Sequence, residues 1–193
     1  LQSFNHWDAI DVHFKGRSVT SGGHGFCGIG RRRLLNILQE RCAALGVRLE
    51  FEHEVRDDAE LARAYQADLA VACDGVNSAV RNRYADVFQP EVERRHCRFV
   101  WLGTRKRFDA FTFAFEETEH GWFQAHAYQY DGDTSTFIVE TPEETWQAAG
   151  LEAMDQQEAL AFCERLFARY LDGQPLMPNA AHLRGSSMWI RFP

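Results

Sequence analysis

Residues 67–73 (ADLAVAC), apolar except for Asp68 and stopped by Asp74-Gly75, restrict the fold more than any other feature of the chain. A strand with one wet face alternates apolar and polar residues. An unbroken apolar run closed by a turn signal predicts instead a strand covered on both faces. Gly75 permits a tight turn, and Asn77 is a candidate N-cap for a short helix through Tyr84. Upstream, Leu34, Leu38, Cys42 and Leu45 recur at helical spacing, and Gly46 is placed to end that helix. Val47, Leu49 and Phe51 then alternate with Arg48, Glu50 and Glu52 as a strand. Residues 57–65 are polar and predict a loop or short helix. Up to Pro90 the order is that of an α/β unit.

After Pro90 the pattern changes. Segments 97–102, 111–115, 122–130 and 135–140 are strand-like, and Asp131-Gly132 is a hairpin turn signal between the last two. Strands in succession predict an antiparallel sheet. A helix over 156–171 follows, with Asp155 and Glu158 spaced as a capping box and Leu160, Cys163, Leu166, Phe167, Tyr170 and Leu171 as its apolar stripe. Gly173 and Pro175 close it, and 188–193 resembles a strand still in progress. Residues 10–21 predict a hairpin with one wet face. With 193 residues, and about 150 per domain, two domains are expected. One is 28–90; the other is 1–27 together with 91–193.

Composition excludes several classes. There are 21 Lys+Arg against 28 Asp+Glu, a net charge of −7, the wrong sign for general nucleic-acid or acidic-membrane binding. Apolar residues at 45% and aromatics at 13% exclude disorder. No run is long enough to cross a membrane, and no secretory leader is visible. The five cysteines have no metal-ligand spacing, so no metal site is expected. Cys42, Cys73 and Cys163 lie in apolar patterns and are expected to be buried in a reducing cytoplasm. The chain does not begin with Met and is expected to be a piece of a longer protein.

Two glycine-rich or basic features invite a nucleotide. Gly23-His24-Gly25-Phe26-Cys27-Gly28 matches G-x-G-x-x-G. That fingerprint needs a buried strand before it and a helix opening within it. Here the preceding segment is polar and the helix starts near Arg31, so a turn close to a ligand competes with the dinucleotide reading. Arg31-Arg32-Arg33 opens a helix, where cations oppose the macrodipole unless an anion is bound. The triplet is either a solvated basic turn or a phosphate contact.

The strongest signal is Asp74-Gly75-Val76-Asn77-Ser78-Ala79-Val80-Arg81 after the apolar run. By composition it is a strand-to-helix turn with an N-cap. D-G-x-x-S-x-x-R in this position resembles the DG motif of the FAD-dependent aromatic hydroxylases, the fold of p-hydroxybenzoate hydroxylase. Arg31 with Leu34-Leu35, Leu38 and Gly46-Val47 resembles that family's R-x-x-L-L…G-V helix, and the strand end 52–55 fits as well. Stretches 22–38 and 136–146 are most similar to members acting on salicylyl-CoA and 2-aminobenzoyl-CoA, with tryptophan-derivative hydroxylases more distant. The family's opening strand–GxGxxG–helix and closing Gly-Asp segment are not matched.

The resemblance implies a fold class of α/β, a partial three-layer FAD-binding domain joined to a mixed or antiparallel β-sheet substrate domain. It implies FAD and NAD(P)H as cofactors and an aromatic substrate, an aryl-CoA thioester by the subfamily similarity. By position, Arg31, Val55, Asp74, Gly75 and Arg81 would contact FAD or support its turn. No protein group is expected to be catalytic in itself, because the flavin carries the chemistry. Gln124, His126, Tyr128 and Tyr130 share one face by period two. The first three are candidate substrate contacts, with a solvated outer face as the alternative. His24 is either near the flavin or a plain turn residue. Arg94, Arg95, Arg98, Arg105, Lys106 and Arg107 are either CoA phosphate contacts or a solvated sheet edge. A free-acid or tryptophan-type hydroxylase, a Rossmann dehydrogenase using Gly23 to Gly28, and a non-catalytic interaction domain stand as rivals. An incomplete α/β sheet would also favour self-association.

Overall fold

Alternation after Pro90 builds most of the fold. A computed structural model describes residues 4–178 and 189–191. In chain order the elements begin with β1 (Asn5–Trp7), β2 (Ile10–Phe14), β3 (Arg17–Ser21) and β4 (Phe26–Gly28). Helices α1 (Arg31–Ala44), α2 (Asp58–Ala64), α3 (Ala79–Arg83) and α4 (Ala85–Phe88) follow. Then come β5 (Cys97–Thr104), β6 (Phe111–Thr118), β7 (Gly121–Gln129) and β8 (Ser135–Pro142). The last are α5 (Glu143–Ala148), α6 (Gln156–Leu166), α7 (Ala168–Leu171), β9 (Leu176–Pro178) and β10 (Ile190–Arg191).

Contacts divide the described residues into two compact units, one of 4–35 with the residues from 95 onward, the other of 36–94. The division falls inside α1 and after Arg94, where the sequence suggested 28 and 90.

In the first unit the strands run β10-β5-β8-β7-β6-β2-β3, with β9 also on β5. All pairs are antiparallel except β2 with β6. The sheet is mixed and mostly antiparallel, as expected. The β2–β3 turn places Lys15 and Gly16 at positive φ, the mirror-image turn that suits strand twist. One face carries Val100, Leu102, Phe123, Ala125, Ala127, Phe137 and Val139, all buried against Trp146, Leu151, Cys163, Phe167 and Leu171 of the α5–α7 region. Asp155 and Glu158 form the capping box of α6. The expected helix over 156–171 breaks at Phe167 into α6 and α7. Short elements β1, β4, β9 and α5 carry no periodic signal long enough to predict.

The second unit corrects two expectations. Residues 47–51 and 67–73 are not strands. Leu69 is 79% and Val71 73% exposed. A both-faces-buried strand needs a ladder partner on each edge, and among the described residues none runs beside it. Among the described residues, 36–94 hold the rest of α1, α2, α3 and α4 and segments with no strand assigned. The apolar stripe of α1 is not buried either, although Gly46 ends the helix at positive φ. Val47 N–H donates back to the Cys42 carbonyl at 2.9 Å, closing the helix as predicted. Cys163 is buried, but Cys42 is half-buried and Cys73 exposed. Among the described residues no helix is long and apolar enough to cross a membrane, and no group of side chains could hold a metal ion.

Candidate functional site

The acid–glycine corner forms, although the strand before it does not. Gly75 takes a φ of +81°. Ser78, one residue beyond the expected Asn77, caps α3 by accepting from Arg81 N–H at 3.0 Å. Asp74 Oδ2 accepts from the Ala79 N–H at 2.8 Å and the Val80 N–H at 3.4 Å. The Ser78 hydroxyl and these backbone groups hold the Asp74 carboxyl below its ordinary range. Arg81 Nη2 donates to the Val76 carbonyl at 2.7 Å, tying the turn to its helix.

Val55 and Asp74 line one cavity of about 730 Å³ in the same unit, with Leu61, Val71, Val80 and Arg83. Gly75 and Arg81 do not line it. Arg83 is held by Asp58, by the Arg56 carbonyl at 2.6 Å and by the wider ion pair to Asp57 at 3.9 Å. In the first unit, Arg31 to Arg33 stand exposed on the opening turn of α1, which has no acidic residue.

The glycine-rich stretch is wrapped around a carboxylate. Asp8 accepts from Gly23 N–H at 2.7 Å and Gly25 N–H at 3.2 Å, and its carbonyl accepts from His24 N–H at 3.1 Å. Residues 26–28 are strand β4, paired with β1. These N–H groups are spent inside the chain, and no helix opens in the motif. The dinucleotide-fingerprint reading of Gly23 to Gly28 is thereby overturned. His24 bonds Ser21 Oγ through Nε2 at 2.9 Å and stacks on Phe26, a turn residue with local partners.

The sheet face opposite the helices is aromatic. Register sets Phe111, Tyr128 and Thr136 in one row, Phe113, His126 and Ile138 in the next, and Phe115, Gln124 and Glu140 in a third. Gln124, His126 and Tyr128 are thus on one half-buried face, as period two predicts, and not on a fully solvated one. Trp7 stacks on Tyr128 at 5.7 Å and Phe26 meets Phe111 edge-on at 5.7 Å. His126 lies 6.0 Å from the Phe111 ring and 6.1 Å from that of Phe113. Burial lowers the His126 pKa and raises that of Glu140. Their closest approach, Nδ1 to Oε1, is 4.0 Å. That is too long for a hydrogen bond, and both shifts favour neutral groups, so we regard the pair as neighbours and not as an ion pair.

No family model matches the chain. It is 41% identical to salicyloyl-CoA 5-hydroxylase of a Streptomyces species, over 97% of this chain and 36% of that protein. It is 37% identical to 3-hydroxy-4-methyl-anthranilyl-[aryl-carrier protein] 5-monooxygenase of Streptosporangium sibiricum, over 96% of this chain and 46% of that one. Protodeoxyviolaceinate monooxygenase of Chromobacterium violaceum is 32% identical over 86% of the chain and 44% of its own length. The chain is a homologue of these monooxygenases. It spans about a third to a half of the curated relatives it matches. In fold it is similar to PqsL of Pseudomonas aeruginosa, described as a probable FAD-dependent monooxygenase, with a TM-score of 0.60 at 17% identity. That match covers 99% of this chain and 56% of PqsL.

In this monooxygenase homologue three members of the basic stretch have separate local partners. Arg98 donates to Glu143 at 2.8 Å and stacks on Trp146, Arg105 pairs with Asp133 at 3.5 Å, and Lys106 pairs with Asp172. Arg98 lies within β5, whereas Arg105 and Lys106 follow its end, and each meets a different carboxylate. Glu140 pairs in register with Gln124 on the aromatic face, a position the alternation of 135–140 gives only once the two strands are paired.

Proposed function

We propose that this chain is the ring-binding part of an FAD-dependent, NAD(P)H-consuming monooxygenase that hydroxylates an aromatic ring carried as a thioester. The substrate class is an aryl-CoA such as salicylyl-CoA or 2-aminobenzoyl-CoA. The observation that carries it is the half-buried aromatic face bearing Gln124, His126 and Tyr128, in a chain 41% identical to salicyloyl-CoA 5-hydroxylase. A relative acting on an aryl-carrier protein supports the thioester class.

The residues fit a flavin nucleotide in kind. Asp74 caps its turn through Oδ2, and its carboxylate has lone pairs enough to accept from a sugar or ribityl hydroxyl as well. Gly75 keeps the backbone there open, and Arg81 holds the corner. Arg31 is free to meet a diphosphate. The cavity beside Val55 and Asp74 is within the size range of cofactor sites. FAD, when bound, supplies the oxygen-transfer chemistry. The chain's own residues orient the ring against Phe111, Phe113 and Tyr128, exclude water and bond the ring substituents.

The test uses the complete protein that contains this chain. Bound flavin and NAD(P)H consumption are measured with salicylyl-CoA, 2-aminobenzoyl-CoA, the free acids and tryptophan, and products are weighed for one added oxygen atom. Thioester-dependent hydroxylation is expected. Stimulation by a free acid or tryptophan alone would remove the thioester, and a protein without flavin or NAD(P)H consumption would remove the function.

A further inference from the structure

Glu140 is chemically out of place. The rest of β8 is apolar or hydroxyl-bearing, yet this carboxyl stands on the aromatic face between Phe99 and Gln124 with its side chain 26% exposed. Among the described residues no hydrogen bond reaches it, and none reaches the Gln124 amide. Other carboxyls of the same unit are occupied. Glu116 accepts from the Tyr170 hydroxyl at 2.7 Å, Glu143 holds Arg98, and Glu164 accepts from the Leu176 N–H at 2.8 Å. A half-buried carboxyl without a donor costs stability, so its place is explained by a donor from outside the chain.

A cavity of about 260 Å³ lies at the same spot, lined by Cys97, Phe115, Trp122, Gln124 and Glu140 among others. An apolar cavity of about 150 Å³ takes benzene, so this one suits a single ring with short substituents. Phe115 and Trp122 offer flat walls, and Gln124 and Glu140 offer polar tips. Burial lowers the His126 pKa, and His96 also lines the cavity.

We propose that Glu140 is a specificity-determining substrate contact: its carboxyl accepts a hydrogen bond from a ring hydroxyl or amine, so the site selects hydroxy- or amino-substituted aryl groups over unsubstituted ones. It rests on the aromatic-monooxygenase function proposed above. A ring hydroxyl or amine would satisfy the half-buried carboxyl, and loss of it leaves the carboxyl desolvated and unpaired.

The experiment compares two probes on the complete protein by isothermal titration calorimetry: salicylyl-CoA, which has a ring hydroxyl, and benzoyl-CoA, which lacks it. Wild type should prefer salicylyl-CoA by about 10- to 100-fold. Glu140→Ala should bring that ratio near one, and Glu140→Gln should fall between, since an amide oxygen still accepts. A loosened sheet weakens both probes alike, so the ratio reports the contact alone. Should Glu140→Ala fail to fold, the near-isosteric Glu140→Gln decides. An equal affinity for both probes in wild type, or a wild-type ratio in the variants, overturns the proposal and leaves the function standing. A wild-type protein that binds neither probe and consumes no NAD(P)H overturns the function as well.

Discussion

Arg98 stacks its guanidinium 4.4 Å above the Trp146 ring while its Nη2 donates to Glu143 at 2.8 Å. One side chain thereby clamps β5 to α5. Both partners of the ion pair are largely buried, with side chains 19% and 14% exposed. Removing one partner of such a pair strands the other. Arg98→Ala is expected to destabilise the fold by about 2–4 kcal/mol, read as a lowered urea midpoint. Arg98→Lys should recover about half, because an ammonium keeps the charge but cannot stack as a plane.

Gly121 sits at a φ of +129° where β7 begins, and a Cβ there would lie 2.5 Å from Thr145 Oγ1. Gly121→Ala therefore meets two penalties, a backbone conformation that favours glycine and overpacking against a buried threonine. A loss of about 2–4 kcal/mol is expected. Adding Thr145→Ala should recover only the overpacking share. Full recovery in the double variant would show that the backbone carries no strain.

The strands β5 to β8, the hairpin of β2 and β3, and the capped helices α1 and α6 were legible because each signal is local. Period two, Gly46, and the Asp155–Glu158 pair act within a few residues. Residues 67–73 show what local signals omit. ADLAVAC specifies two apolar faces, but a strand exists only against a partner, and residues 36–94 provide none among those described. The shared face of Gln124, His126 and Tyr128 was legible by the same logic that placed their strand. Glu140 was not, because its place beside Gln124 depends on how β7 and β8 pair.

Alkaline pH should weaken the first unit. Burial, then the bond to Glu116, pushes the Tyr170 hydroxyl up to about 12, and burial pushes the Cys163 thiol up to about 12. Unfolded, these groups lose their protons near about 10 and 8.5. Between those values and about 12 the unfolded chain binds fewer protons, so stability falls as pH rises. Below that window the contribution is complete. Urea melts across the alkaline range should show this slope, and Tyr170→Phe should flatten its upper part. Thiol labelling offers a parallel reading: Cys27 and Cys73, both exposed, react in the native state, and Cys163 reacts only as fast as the chain unfolds.

Arg31 and Asp74 separate two ways of losing a cofactor. Asp74 holds its own corner through Ala79 N–H, Val80 N–H and Ser78, so its removal disturbs the turn before any ligand is considered. Arg31 is exposed on α1 with no acidic neighbour in its turn, so its removal changes only what it meets from outside. In the complete protein, Arg31→Ala is expected to lower FAD affinity by about 10-fold, the value of one charge-assisted bond, with an unchanged melting profile of the flavin-free form. Asp74→Ala should lower both FAD content and stability, while Asp74→Asn, which can still accept from the helix N–H groups, should restore the stability more than the affinity. Flavin fluorescence titration and thermal melts of the stripped protein measure the two quantities independently. Unchanged FAD affinity in both Arg31→Ala and Asp74→Asn would remove these positions from the flavin site and leave the corner a purely structural turn.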